Sequence, residues 1–243
     1  MPQTLLRIKN IKKRYGAKEA LKGITLDIYQ GEIFGLLGVN GAGKTTLSSI
    51  IATLHPPTEG DIEFQGKSIY KNIPAYRFQL GFCPQHPNLN GELTLEENLF
   101  FAGRFYGMTD VQIKNRIDLL AKRFELEQYL SQKAAVLSGG YRQRFMIVRS
   151  IIHSPKLVLL DEPTVGLDPH IRRQLWTMIK ELKELNVTVI LTTHYLDEAE
   201  QLSDRVCILD NGVIKLIDTP DKLMADFKQK NLEDVFVKLM SPE

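Results

Sequence analysis

The sequence predicts an α/β fold: a core of parallel strands and helices, an antiparallel β part near the start, and a helical lobe inserted in the middle. Three observations predict it. Two short apolar runs, Lys156–Leu160 and Val187–Leu191, have the length and composition of parallel strands buried on both faces. A third such run, Glu32–Leu37, passes through the glycine-rich octapeptide Gly38–Thr45 (GVNGAGKT) into a helical pattern. Between these elements, apolar residues recur at helical rather than strand spacing.

The elements follow in order. Leu5-Leu6-Arg7-Ile8-Lys9 and Ile24-Thr25-Leu26-Asp27-Ile28 alternate as strands do, with a turn around Tyr15-Gly16 between them. Thr45–Leu54 reads as a helix with Leu47, Ile50, Ile51 and Leu54 on one face. Pro56-Pro57-Thr58-Glu59-Gly60 breaks the chain before a strand at Asp61–Phe64. Thr94–Tyr106 reads as a helix opened by a Thr94/Glu97 capping box. Val111–Glu125 carries Ile113, Ile117, Leu120 and Phe124 on a common stripe. Ser138-Gly139-Gly140 opens a mostly apolar helix expected to run through His153. The α/β pattern then returns, with helices at Pro169–Leu185 and Asp197–Leu202 and a hairpin of Val206–Leu209 and Val213–Ile217 around Asp210-Asn211-Gly212. In the tail, Leu232, Val235, Phe236 and Leu239 form an amphipathic stripe expected to pack on the core. The expected organisation is one domain, 1–243, with the core and β parts at 1–85 and 156–243 and the helical part at 86–155.

Composition bounds the function classes. The 243 residues suffice for one large domain or two closely packed lobes. A net charge of +2 lacks the basic footprint of a nucleic-acid binder, and Lys9, Lys12, Lys13 and Arg14 read as a solvated face. Cys83 and Cys207 are expected to be buried free thiols in a reducing compartment. The five histidines show no metal-ligand spacing. Met1-Pro2-Gln3-Thr4 leads into a strand pattern rather than a signal peptide, and no apolar run is long enough to cross a bilayer, so no transmembrane segment is expected.

The octapeptide carries the chemistry. Gly38, Gly41 and Gly43 let the backbone curl so that successive N–H groups form an anion nest. Lys44 would direct its charge at the β and γ phosphates of a nucleotide, and Thr45 would set its hydroxyl on Mg²⁺. Downstream, Asp161-Glu162 tips an apolar strand at the sheet edge where ligands bind. Asp161 would hold Mg²⁺ directly or through water, and Glu162 would polarise a water for in-line attack on the γ phosphate. His194 ends the adjacent strand, within reach of that phosphate. Gln85 ends another and offers a carbonyl to Mg²⁺ or water. Ser138-Gly139-Gly140 reads as a second anion site at a helix start; the competing reading is an ordinary serine cap. Tyr15 offers a ring for adenine, or is a surface turn tyrosine.

Together these residues resemble an ATP-binding cassette (ABC) ATPase, over essentially the whole chain. The resemblance makes Gly38–Thr45 the Walker A loop, Gln85 the Q-loop and Leu137-Ser138-Gly139-Gly140 the signature. It makes Asp161-Glu162 the Walker B acid and catalytic glutamate, Gly166-Leu167-Asp168 the D-loop, and His194 the switch histidine. The fold implied is a P-loop NTPase core with an antiparallel β subdomain and an inserted α-helical subdomain. The nucleotide-binding set implied is Tyr15, Gly38, Asn40, Gly41, Ala42, Gly43, Lys44, Thr45 and Thr46; Glu162, His194 and Gln85 are catalytic, and Thr45, Gln85 and Asp161 serve Mg²⁺. The resemblance further implies a head-to-tail dimer with a second copy or a homologous ATPase subunit. There Ser138, Gly139 and Gly140 would meet the partner's ATP. A separate membrane permease would be driven, with the chain peripheral on the cytoplasmic face. The motifs around Pro163–Pro169 and Thr192–Glu200, and the tail Leu232–Phe236, are similar to those of drug, antibiotic and polysaccharide exporters, implying hydrophobic or amphipathic cargo. Val39 stands where proline is common and Tyr141 where glutamine is common; Tyr141 is expected to be tolerated. The alternative is a soluble ABC ATPase acting in translation or DNA repair.

Overall fold

The computed structural model describes residues 2–240; Met1 and the last three residues, which the expectations for the chain start and the 1–243 span include, lie outside the described residues. The first strands are β1 (Thr4–Tyr15), β2 (Lys18–Tyr29) and β3 (Ile33–Leu37), followed by helix α1 (Lys44–Ile51). Then come β4 (Glu59–Phe64), β5 (Lys67–Ser68), α2 (Ile73–Arg77) and β6 (Leu80–Cys83). Three helices follow without an intervening strand: α3 (Leu95–Phe105), α4 (Asp110–Arg123) and α5 (Gly139–Ser150). The chain then forms β7 (Leu157–Asp161), α6 (Pro169–Glu184), β8 (Thr188–Thr192) and α7 (Leu196–Leu202). It ends with β9 (Arg205–Asp210), β10 (Val213–Asp218), α8 (Pro220–Phe227) and α9 (Leu232–Met240).

Two sheets result. One has the order β2-β1-β4-β5 and is antiparallel throughout. The other has the order β10-β9-β3-β8-β7-β6, parallel except for the β9–β10 hairpin. The apolar runs that predicted parallel strands, β7 and β8, lie inside this sheet with β3, and β3 and β8 are buried at every residue. The hairpin turn follows its sequence signal: Asn211 and Gly212 have φ of 47° and 76°, the left-handed pair that a two-residue turn requires.

Three apolar clusters hold these parts. One joins α3, α4 and α5 to one face of the parallel sheet and to α6. A second lies between the two sheets and around α1. The third packs α8 and α9 against β9 and α7. In the tail helix, Leu232 and Val235 are buried, and Phe236 and Leu239 pack beside them. Both cysteines are free and buried, and burial pushes each thiol up to about 12. The basic stretch on β1 is paired on the surface: Lys9 with Glu63, Lys12 with Glu59 and Arg14 with Glu19.

Most helix ends fall within two residues of expectation, and two stop three residues early. The α1 helix stops at Ile51; Thr53 has φ of 58°, and Leu54 falls outside the helix and is 55% exposed instead of sharing its buried face. The α5 helix stops at Ser150, so His153 lies beyond it; its imidazole contacts the Leu80 carbonyl at 3.2 Å and stacks on Tyr106. The predicted Thr94/Glu97 capping box is present, and a second one, Thr109/Gln112, opens α4. Helices α2 and α8 were not expected, although Asn72 and Thr219 cap them and each carries proline in its first turn.

Candidate active site

The centre of the parallel sheet aims the glycine loop. Strand β3 sits between β9 and β8, so its C-terminal end opens at the sheet edge where residues 38–43 lead into α1. Gly43 caps α1 at φ of 111°, and a Cβ there would meet Leu21 Cδ2 at 2.8 Å. Glycine is therefore required for the turn that leaves the first N–H groups of α1 open to an anion. Lys44 folds back over the loop, donating to the carbonyls of Gly38 (2.7 Å) and Val39 (3.3 Å). Burial lowers the pKa of its ammonium, while Glu162 and Asp161 raise it.

Above the loop lies a cavity of about 260 Å³. Asn40, Gly41, Gly43, Lys44, Thr45 and Thr46 line one side, and Glu162 lines another. Tyr15, at the end of β1, and Lys18 and Ala20, at the start of β2, complete it. Gly38 contributes its carbonyl to Lys44, and Ala42 is buried under the loop. Tyr15 is 47% exposed, and the Lys13 ammonium lies over its ring at 5.0 Å. Sequence reasoning missed Lys18 and Ala20, since nothing marks a strand residue as a wall before the sheets are assembled.

Three neighbouring parallel strands bring the remaining residues together. In the register of β6, β7 and β8, Cys83 pairs with Leu160 and Asp161 with Thr192, so whatever follows each strand emerges at one edge. There Gln85 Nε2 donates to Glu162 Oε2 at 3.1 Å, and His194 Nδ1 lies 3.3 Å from the same oxygen. Glu162 has φ of 47°, a conformation costing about 1–3 kcal/mol in a residue other than glycine. Its N–H donates to the carbonyl and hydroxyl oxygens of Thr192, at 3.0 and 3.1 Å, which holds the turn. The Thr192 hydroxyl donates to Asp161 Oδ1 at 2.5 Å. Burial raises the Asp161 pKa and the Glu162 charge adds to the rise; the Thr192 hydrogen bond and Lys44 oppose it. Thr192 was not singled out in the sequence because a strand threonine carries no signal of its own.

The second predicted anion site lies elsewhere. Ser138 precedes α5, is exposed, and makes no side-chain capping bond. Gly140 is buried against α6, where a Cβ would meet Ile171 Cγ2 at 2.6 Å. Among the described residues, Ser138, Gly139, Gly140 and Asp168 do not line the 260 Å³ cavity. Asp168 caps α6, also without a side-chain bond. Tyr141 turns into the helical part, its ring 4.2 Å from that of Tyr129. A smaller cavity of about 220 Å³ joins Val39, Asn40, His194 and Leu196 to Phe236, so α9 borders the site, which its amphipathic pattern alone did not reveal.

A glycine loop aimed by a central parallel strand, with a lysine over it and carboxylates on the next strands, defines a P-loop nucleoside triphosphatase. Comparison with known proteins narrows the class. The family profile described as ABC transporter matches residues 21–165. The Nod factor export ATP-binding protein I of Ralstonia nicotianae is 37% identical over 86% of this chain and 65% of its own length. The linearmycin resistance ATP-binding protein LnrL of Bacillus subtilis is 40% identical over 90% of this chain and 70% of its own length. The chain thus spans about two thirds of these relatives. An ATP-binding subunit of an ABC transporter superposes with a TM-score of 0.87 at 35% identity, covering 98% of this chain and 100% of that one. A dimeric ATP-binding cassette in a post-hydrolysis state with ADP and Pi superposes at 0.79 and 29% identity, covering 88% and 98%. The chain belongs to the ABC transporter family, and its fold is that of the family's ATPase cassette.

Proposed function

We propose that this chain is the ATP-hydrolysing subunit of an exporter, working as a head-to-tail pair on the cytoplasmic face of a membrane and driving a separate permease. The observation that carries the reading is the convergence of Gln85 and His194 on one oxygen of Glu162, beside the cavity of the glycine loop. Loop amides and Lys44 hold the phosphates, and Tyr15 faces the base. Glu162 accepts a proton from water as the water oxygen bonds to the γ phosphorus and the bond to the β–γ bridging oxygen breaks. His194 and Gln85 fix the carboxylate and the water it orients. Ser138 and the amides of Gly139 and Gly140 from the other copy face the γ phosphate, so the site is complete only in the pair.

The donor types fit Mg²⁺: Thr45 in the loop cavity offers an exposed hydroxyl, Asp161, whose charge acts on Lys44, a carboxylate, and Gln85, bonded to Glu162, an amide carbonyl, the sparse all-oxygen set this ion takes together with phosphates. Mg²⁺ would neutralise charge on the β and γ phosphate oxygens.

Export is supported by the relatives, one named for Nod factor export and one for linearmycin resistance. No helix among the described residues is long and apolar enough to cross a membrane, so the reading assigns passage of cargo to another chain. The alternative in translation or DNA repair gains no support from these relatives. Co-purification decides between them: an integral membrane protein bound to this chain supports export, whereas ribosomes or DNA would overturn it.

A further inference from the structure

Strand β8 carries a threonine at each end, Thr188 and Thr192, and both are fully buried. Side chains alternate along a strand, so Thr188, Ile190 and Thr192 share one face, and Ile190 places that face in the cluster around α1. On β7, Leu157 and Leu159 belong to the same cluster, which puts Asp161 on the same side. The parallel register sets Asp161 beside Thr192. Thr192 Oγ1 then lies 2.5 Å from Asp161 Oδ1 and 3.4 Å from the Leu160 carbonyl, so its single proton goes to the carboxylate. The same oxygen accepts the Glu162 N–H at 3.1 Å. One hydroxyl is thus bonded both to the Asp161 carboxylate and to the Glu162 backbone. Thr188, at the other end of the strand, accepts the Gly31 N–H at 2.9 Å, away from both acids.

Packing alone would be met by valine at this place, and a buried hydroxyl is costly unless it is bonded. The bond to Oδ1 restrains rotation of the Asp161 carboxylate and so presents Oδ2 in one orientation. Glu162, at φ of 47°, keeps its strained conformation through the bonds of its N–H, one of them to this hydroxyl. Resting on the readings of Asp161 and Glu162 above, we infer that Thr192 is a positioning residue that ties the Mg²⁺ ligand to the catalytic turn, setting both acids in register through one hydroxyl. It acts through Asp161 and Glu162, so its loss falls on the metal and on hydrolysis and spares nucleotide binding at the glycine loop.

Thr192→Val keeps the size and the strand preference and removes the hydroxyl; the carbonyl of residue 192, 3.0 Å from the Glu162 nitrogen, still holds the turn. Thr192→Val should lower kcat by about tenfold or more and raise the Mg²⁺ concentration for half-maximal hydrolysis by about tenfold, the usual cost of losing a group that orients a metal ligand. Mn²⁺, followed by electron paramagnetic resonance in the complex with a non-hydrolysable ATP analogue, reads the same link without turnover: its Kd should rise by about tenfold. The Kd for a fluorescent ATP analogue without metal should stay within about twofold of wild type. Thr192→Ser, which keeps the hydroxyl, should restore most of the rate and of the metal affinity. Thr188→Val, an equal loss at the far end of the strand, should lower Tm yet leave kcat and both metal readings within about twofold. Should Thr192→Val fail to fold, Thr192→Ala decides by the same readings. Wild-type kcat and metal affinity in the variant would overturn the role; so would an equal loss of metal-free nucleotide affinity, no recovery in Thr192→Ser, or an equal effect of Thr188→Val. An inactive wild-type chain, or one that binds Mn²⁺ no more tightly than the analogue alone does, would instead overturn the reading of the two acids, and the role with it.

Discussion

Two helix starts, at α1 and α5, are built from similar residues and end differently. Each opens on glycines with a lysine or serine nearby, and each reads in the sequence as an anion site. At α1, the loop is enclosed: Lys44 folds over it, Tyr15 of β1 and Lys18 and Ala20 of β2 wall it, and Glu162 faces it across a defined cavity. At α5, Ser138 is exposed, makes no capping bond, and lies outside that cavity. The contrast supports the proposed shared site, with one enclosed half at the glycine loop and a second helix start that meets no counterpart in its own chain. A second copy placed head to tail would supply each with what it lacks.

Predictions follow from breaking one half at a time. Glu162→Gln, on the enclosed half, should lower steady-state ATP hydrolysis by about a hundredfold or more while sparing ATP binding, and the variant should accumulate as an ATP-bound dimer in gel filtration. Robust turnover would remove Glu162 from its role. Ser138→Arg, on the open half, should lower turnover by about tenfold or more by obstructing the face that meets the partner's phosphates, with the Kd for ATP of the separate chain little changed. Lys44→Ala should weaken ATP affinity by about tenfold, since it removes a charge-assisted contact; titration with a fluorescent analogue measures it, and unchanged affinity would count against the loop.

The smallest effect concerns stability. Burial raises the Asp161 pKa, so its ionised form is held in the folded chain at a cost that grows as pH rises above the ordinary carboxylate value, about 4. Without nucleotide, Asp161→Asn should therefore raise Tm by about 2–4 °C at neutral pH, and the gain should shrink as the pH falls toward 4. A lower Tm for the variant at neutral pH would show that the Thr192 bond and Lys44 outweigh burial.

The enclosed half was largely legible because phosphate chemistry needs glycines, a lysine and a hydroxyl at fixed short spacing, and Gly38–Thr45 states all of them. Asp161 and His194 could be placed because they end or follow apolar strands whose pairing could be anticipated. Less legible were contributions fixed only by assembly. Lys18 and Ala20 become walls because β2 crosses near the loop. Thr192 matters because β8 aligns it with Asp161. Phe236 reaches the site because α9 packs on α7. Helix ends failed for a local reason: α1 was extended to Leu54 on apolar spacing alone, whereas Thr53 leaves the helix in a left-handed conformation.

The central claim is that each active site is shared between two copies. Mixing Lys44→Ala with Ser138→Arg tests it most directly, because a mixed head-to-tail pair has one wholly damaged site and one assembled from intact halves. The account predicts that, at ATP well below the weakened Kd, two preparations each at about a tenth of the wild-type rate or less gain activity when mixed, approaching about a quarter of that rate when half the pairs are mixed and one of two sites works in each. A mixture no more active than its components would contradict the shared site.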